Sequence, residues 1–99
     1  MKLFRHGDVL LKEVSKKTVK GEKLDHLVLA EGEVTGHSHR ITEGNAALYR
    51  NGEQTFLRVV SKCGLLTHEE HHQLEIPQGD YEVIIQREYT PDGWRAVAD

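Results

Sequence analysis

Histidine is the residue type whose number and spacing in this sequence most clearly indicate chemistry. The 99-residue chain has seven histidines, and five of them lie in two short clusters, GHSH at residues 36–39 and HEEHH at residues 68–72. Imidazole nitrogen is a preferred ligand of zinc, iron, copper and nickel. The spacing therefore raises the question of whether the two clusters meet around one metal ion.

The first cluster has the spacing of a pair on one face of a strand. Residues i and i+2 of a β-strand point to the same side, so His37 and His39 would present two imidazoles together with Ser38 turned away. Glu43 returns to that same face four residues after His39, where a carboxylate would serve as a further ligand, as a hydrogen-bond partner of an imidazole or as a general base. We predict His37 and His39 as metal ligands and Glu43 as the catalytic residue; a solvent-exposed turn carrying the same residues is the alternative.

The second cluster has the length of a β-turn. If residues 68–71 form a four-residue turn, its end residues come within ~7 Å of each other at Cα, and the side chains of His68 and His71 converge. Strand alternation counted back from Ile76 instead places His72 on the inner face. We predict His68 and His71 as ligands because turn geometry governs this stretch, with His72 as the competing choice. The two glutamates inside the turn, Glu69 and Glu70, are expected to face solvent, with recruitment of either as a base beside the metal as the alternative.

The remaining candidates for site chemistry stand alone in the sequence. His6 and His26 have polar neighbours and are predicted to be surface or hydrogen-bonded residues rather than ligands. Cys63 is the only cysteine, so no disulfide can form within the chain. A glycine follows it and no base is near it in sequence, which favours a small buried thiol over a nucleophile.

Composition places the chain among ordinary globular domains. With 37% apolar and 29% charged residues, residues 1–99 are expected to form one domain around one core. A net charge of -3 argues against nucleic acid as a partner. The sequence has no apolar run long enough to span a membrane and no signal-peptide pattern, so we expect a cytoplasmic protein without a membrane partner. A small-molecule substrate and a second copy of the chain are the candidate partners.

Short strand-like segments separated by turn residues dominate the chain, and no window keeps the apolar period of a helix. Asn51-Gly52 predicts a hairpin with a type I′ turn, and further turns are predicted at residues 77–80 and 91–93. We predict an all-β fold with about seven or eight short antiparallel strands, arranged as a small barrel or jelly roll.

The segment GEVTGHSHRITE resembles the first metal motif of the cupins, which are small β-barrel proteins. Gly32, His37, His39 and Glu43 occupy the glycine, histidine and glutamate positions of that motif. The segment IPQG is similar to part of the second cupin motif, but no histidine follows it. The resemblance implies a cupin-like barrel that holds a transition metal, with its later ligands supplied by residues 68–72.

A second resemblance covers nearly the whole chain. The segments GDVLL, LAEGEVTGHSHRI, THEEH and LEIPQGDYEVIIQREYTP are similar to those of short, largely uncharacterised bacterial and phage proteins. The GHxH and HEEH elements of that group favour His37, His39, His68 and His71 as ligands. The resemblance implies no particular activity.

These patterns predict a protein that binds one divalent transition metal, with zinc, iron, manganese, nickel and copper as candidates. The ion would activate water for hydrolysis or hydration, or support oxygen chemistry if it is redox-active. The alternative is a non-catalytic interaction module whose metal is structural, because metal binding contributes directly to the folding free energy of a small domain.

Overall fold

The fold consists almost entirely of β-strands. The computed structural model describes residues 2–31, 37–69, 71–90 and 93–96, the residues from 87 onward by their backbone alone. Within these ranges the only other regular structure is one turn of 3-10 helix at Lys16–Thr18. The described strands are, in chain order, β1 Leu3–His6, β2 Val9–Val14, β3 Glu22–Lys23, β4 Val28–Glu31, β5 Ser38–Glu43, β6 Ala46–Asn51, β7 Gln54–Thr67, β8 Leu74–Ile85, β9 Arg87–Thr90 and β10 Gly93–Ala96. The predicted all-β class is confirmed.

Every strand pairing in the described part of the chain is antiparallel. Eight of the described strands form one curled sheet with the order β1-β2-β8-β7-β5-β4, while β6 pairs with both β7 and β3. The curled sheet forms a half-barrel. Strands β9 and β10 form a separate hairpin, and residues 91 and 92 of the turn predicted there lie outside the described residues.

Two of the strands are longer than the sequence predicted. The turn predicted at residues 77–80 is instead part of the 12-residue strand β8, and β7 runs for 14 residues. Both strands are irregular at the same level, because Val59 pairs with Gly79 and the next pair is Cys63 with Pro77. Three residues of β7 thus oppose one residue of β8. Such a bulge bends a strand and increases its twist without ending it, so the turn-forming residues bend β8 rather than reverse it.

The bend brings the two ends of β8 into one region. A straight strand of this length would measure about 36 Å. Val9, next to the β1–β2 turn, pairs with Ile85 at one end of β8. His6 lies on the other side of that turn. Its Nε2 is 2.8 Å from the carbonyl oxygen of His72, which comes just before Leu74, the first residue of β8. The long hairpin β7–β8 therefore folds back on itself.

The core lies on the concave side of the curled sheet. Tyr81 is fully buried, and its hydroxyl donates a hydrogen bond of 2.8 Å to the carbonyl oxygen of Pro77, which lies at the bulge. Burial raises the pKa of that hydroxyl. The other members of the buried apolar cluster come from both halves of the bent hairpin and from the strands beside it: Val9, Leu11, Leu29, Ile41, Leu48, Leu57, Val59, Leu66, Ile76 and Val83.

Cys63 does not join this core. Its side chain is exposed, so the prediction of a buried thiol is wrong. The reason is the bulge, because strand alternation resumes after it with Gly64 and Leu66 on the buried side. The part of the chain that the structure describes contains no helix long and apolar enough to cross a membrane.

The hairpin between β6 and β7 forms where Asn51-Gly52 predicted it, but with a different turn. Asn51 pairs with Gln54, so the two central residues are Gly52 and Glu53. Gly52 has a φ of +63°, and no described non-glycine residue has a positive φ. This is the pattern of a type II′ turn, which needs a positive φ only at its first central position. The predicted type I′ turn is wrong because pairing at Asn51 moves the turn forward by one residue.

We expect Gly44→Ala to destabilise the domain by at least ~2 kcal/mol, because a non-glycine residue is strained at positive φ and meets a backbone atom here. Gly44 follows β5 with a φ of +92°, and a Cβ atom at this position would lie 2.5 Å from the carbonyl oxygen of Cys63. Gly52→Ala is the control, since its φ is also positive but nothing lies within 4 Å of a Cβ there. Urea unfolding of both variants measures the difference, and equal losses would contradict the close contact.

Candidate metal centre

His39 belongs to a group of three histidines. Its side chain, on β5, is fully buried. The centroid of its ring lies 4.4 Å from that of His68 and 5.7 Å from that of His71. Each of the three residues offers one nitrogen, and these nitrogens all lie within 4.8 Å of one another. The arrangement has the size and the donor atoms of a metal site.

Strand pairing explains why His39 and His68 are neighbours. Strand β5 runs antiparallel to β7, and Arg40 pairs with Thr67. In an antiparallel pair, the residue before Arg40 lies beside the residue after Thr67. Those residues are His39 and His68, so the register of two strands joins the two histidine clusters of the sequence.

His37 belongs to a second group, formed with His68 and Glu69. The ring centroids of His37 and His68 lie 5.6 Å apart. His37 and His39 thus fall in two different groups that share His68, rather than forming the pair that alternation predicted. Ser38, expected to turn away, is itself buried. The reason is that β5 begins only at Ser38, so strand alternation does not extend back to His37.

The structure brings the ring of His71, rather than that of His72, to this group. The ring centroids of His68 and His71 lie 4.7 Å apart, whereas the side chain of His72 is exposed. Strand β8 begins only at Leu74, so the turn and not the strand sets these side-chain directions. The Nε2 atom of His71 is buried and has no hydrogen-bond partner among the residues that the structure describes.

Glu43 is not brought to the histidines. Its side chain is exposed at the end of β5, and it belongs to neither group. At strand spacing it lies ~13 Å along the chain from His39. The pairing of β5 with β7 shifts between Ile41 and Glu43, and this irregularity breaks the alternation on which the prediction of a shared face depended.

Glu69 is exposed, as predicted, and it also contacts strand β5 through both carboxylate oxygens. Oε1 accepts a hydrogen bond of 3.0 Å from the backbone N–H of Ser38, and Oε2 lies 2.8 Å from the guanidinium of Arg40. These contacts, the backbone N–H first, lower the pKa of the Glu69 carboxyl to about 2. Glu69 therefore anchors the residues after β7 to β5 as a carboxylate. Glu70 and Gly32 lie outside the described residues.

His6 is a member of the cluster that the sequence did not reveal. It is 5% exposed and both its ring nitrogens have hydrogen-bond contacts, so of the two predicted alternatives, surface or hydrogen-bonded, the second is confirmed. Its Nδ1 lies 2.9 Å from Nδ1 of His39, and its Nε2 lies 2.8 Å from the carbonyl oxygen of His72. Burial is the main cause that lowers the pKa of His6, against the opposing effect of the carbonyl contact. The neutral ring, which is the form that binds metals, is therefore favoured.

Asp8 is the second residue that sequence reasoning missed. Its side chain is 1% exposed, and its Oδ1 lies 3.2 Å from Nε2 of His39. Asp8 follows Gly7, whose φ is +62°, in the two-residue turn between β1 and β2. This turn carries both His6 and Asp8 to His39. Their adjacency in the segment HGD was a signal, but it is weak because turns commonly contain Gly-Asp.

His26 is the contrasting case, and its prediction as a surface residue is confirmed. Its side chain is exposed, and its Nδ1 accepts a hydrogen bond of 3.1 Å from the backbone N–H of Val28. It belongs to neither histidine group. His26 therefore provides a natural control for substitutions in the cluster.

Fold and site together define a small antiparallel β half-barrel with a cluster of buried and half-buried histidines. The chain belongs to the family described as Domain of unknown function (DUF8820), whose model matches residues 5–86. The matched region includes every histidine of the cluster. No curated protein and no solved structure matches the chain.

Proposed function

We propose that this domain binds one divalent transition-metal ion through His39, His68 and His71. The observation that carries the proposal is that three histidine nitrogens, one from β5 and two from residues 68–71, lie within 4.8 Å of one another. Nitrogens that bind a tetrahedral zinc ion at ~2.1 Å lie about 3.4 Å apart. Small rotations of the three side chains would therefore complete the site. Zinc, iron, nickel and copper suit these donors best, with manganese as a weaker candidate.

The proposed activity is a metal-dependent reaction of a small molecule. Three histidines leave a coordination position for water or substrate, as in catalytic zinc sites. A metal there would lower the pKa of bound water towards ~7 and so support hydrolysis or hydration, while a redox metal would support oxygen chemistry of the kind that the cupin resemblance implies. Glu69 would hold His68 in place through its contacts with β5, because the two residues are consecutive.

A structural role for the metal is the second candidate, and one specific observation favours it. His39 is fully buried and His68 is 6% exposed, at the place where the curled sheet brings β5, the end of β7 and the residues before β8 together. A metal at this place would join segments that are distant in sequence. The domain would then be a non-catalytic interaction module stabilised by its ion.

Elemental analysis of the protein purified without an affinity tag tests the proposal. We expect close to one transition-metal ion per chain in the unmodified protein, and much less in His39→Ala, because one of the three ligand nitrogens is lost. His26→Ala should retain the ion, since His26 is exposed and apart from the cluster. A metal-free protein that also fails to bind added Zn²⁺ or Co²⁺ would refute the proposed function, as would equal occupancy in the two variants.

A further inference from the structure

The rings of His6 and His39 face each other through the same kind of nitrogen. Their Nδ1 atoms lie 2.9 Å apart. On the far side of each ring, Nε2 faces an oxygen: the carbonyl oxygen of His72 lies 2.8 Å from His6, and the Asp8 carboxylate lies 3.2 Å from His39. A carbonyl and an ionised carboxylate only accept hydrogen bonds. A nitrogen lone pair facing an oxygen is unfavourable, so both contacts favour the tautomer that carries its hydrogen on Nε2.

This tautomer leaves the two Nδ1 atoms without hydrogen. A neutral imidazole carries one N–H and one lone pair, so the lone pairs of His6 and His39 point at each other across 2.9 Å. Two lone pairs at this distance repel unless a positive charge lies between them. That charge is either a shared proton or a metal ion. Histidines that bind metals usually donate their other ring N–H to a carboxylate or a backbone carbonyl, which is the arrangement of both rings here.

We infer that His6 is a fourth ligand of the metal, and that His6 and His39 both bind the ion through Nδ1. Asp8 and the His72 carbonyl are then positioning groups that fix the tautomers of the two ligands. This inference rests on the proposed function. Two nitrogens at ~2.1 Å from one ion lie about 3.0 Å apart at a right angle and about 3.4 Å apart at the tetrahedral angle, so the spacing of the two Nδ1 atoms fits a shared ion. The ring of His6 lies 6.5 Å from that of His68 and 5.6 Å from that of His71 between centroids, so binding all four nitrogens requires these rings to move closer.

With four histidine ligands, the coordination number of the metal decides whether its role is structural or reactive. Four histidines fill the coordination of a tetrahedral zinc ion, and a closed zinc site is structural. An ion that takes five or six ligands would keep one or two positions for water or substrate. With His6 included, zinc would make the centre a structural element of the half-barrel, and a metal of higher coordination number would make it a reactive one.

Titration with Co²⁺ tests the role of His6 in a matched pair of variants. We expect His6→Gln to lower the affinity by about 100-fold and to change the visible absorption bands of bound Co²⁺, because one of four nitrogen ligands is lost. His26→Gln, the same substitution at an exposed histidine that belongs to neither histidine group, should bind as the unmodified protein does. Circular dichroism of both variants verifies that the sheet is retained.

A second measurement does not depend on any substitution. In ¹⁵N-labelled protein loaded with ¹¹³Cd²⁺, we expect scalar coupling between the metal and Nδ1 of both His6 and His39. Coupling to His39 and His68 but not to His6, with an unchanged Co²⁺ spectrum in His6→Gln, would overturn the inference and leave the proposed function intact. Absence of any metal binding by the unmodified protein would overturn both.

Discussion

Replacing His68 with alanine is expected to lower the affinity of the domain for Zn²⁺ or Co²⁺ by about 100-fold to 1000-fold. Structural zinc sites with four ligands contribute ~10–16 kcal/mol of binding free energy, so each ligand accounts for roughly 2.5–4 kcal/mol. His68 belongs to both histidine groups. Its loss therefore also removes the alternative set formed by His37 and Glu69.

Competition with a chromophoric chelator measures this affinity. His26→Ala is the matched control, because it removes an imidazole that lies apart from both groups. His37→Ala separates the two groups from each other, and we expect it to weaken binding less than His68→Ala does. An affinity of His68→Ala equal to that of the His26→Ala control would show that the metal binds elsewhere.

Metal binding is expected to raise the melting temperature of the domain by roughly 15–30 °C. A ligand that binds only the native state at 1000 times its dissociation constant adds about 4 kcal/mol to the free energy of unfolding. In a domain of about 100 residues, each kcal/mol shifts the melting temperature by roughly 4–8 °C. Differential scanning calorimetry of the metal-loaded protein, before and after addition of a chelator, measures the shift.

The same melting experiment separates the two proposed roles. A cooperative transition that survives chelation would indicate a reactive centre on a fold that is stable by itself. Loss of the transition would indicate a structural centre. His68→Ala is the control, since chelator should hardly change its melting temperature, and a shift as large as that of the unmodified protein would mean that the chelator acts on something other than this site.

Much of the fold can be predicted from local sequence patterns. Whether a strand continues or turns cannot be predicted in this way. Alternating apolar residues and turn signals predicted an antiparallel all-β domain because each of these patterns acts within a few residues. The segment containing Pro77 and Gly79 has the composition of a turn, but it lies within β8. Whether such residues reverse a strand or only bend it depends on the partner strand, and here β7 continues alongside with its own bulge at Val59–Cys63.

The candidate site also has residues that local spacing predicts and residues that only long-range folding brings together. His37, His39, His68 and His71 were found from the sequence because each pair lies within four residues. His6 and Asp8 were missed because they reach His39 only after the β7–β8 hairpin has folded back, and a contact of that kind leaves no local pattern.

Glu43 was misplaced for a different reason. Its predicted position assumed an unbroken strand from His39, and the irregularity in the pairing of β5 removes that assumption. Alternation in a strand is therefore a good guide only as far as its ladder is regular.

Because the β7–β8 hairpin folds back, the histidine cluster can be complete only in the intact domain. His6 and His72 are 66 residues apart in the chain, yet they are in contact. No fragment that lacks either the first hairpin or the start of β8 contains the whole cluster. Closing so long a loop costs conformational entropy before any contact within the cluster repays it. We therefore expect the cluster to be among the last features to assemble as the chain folds.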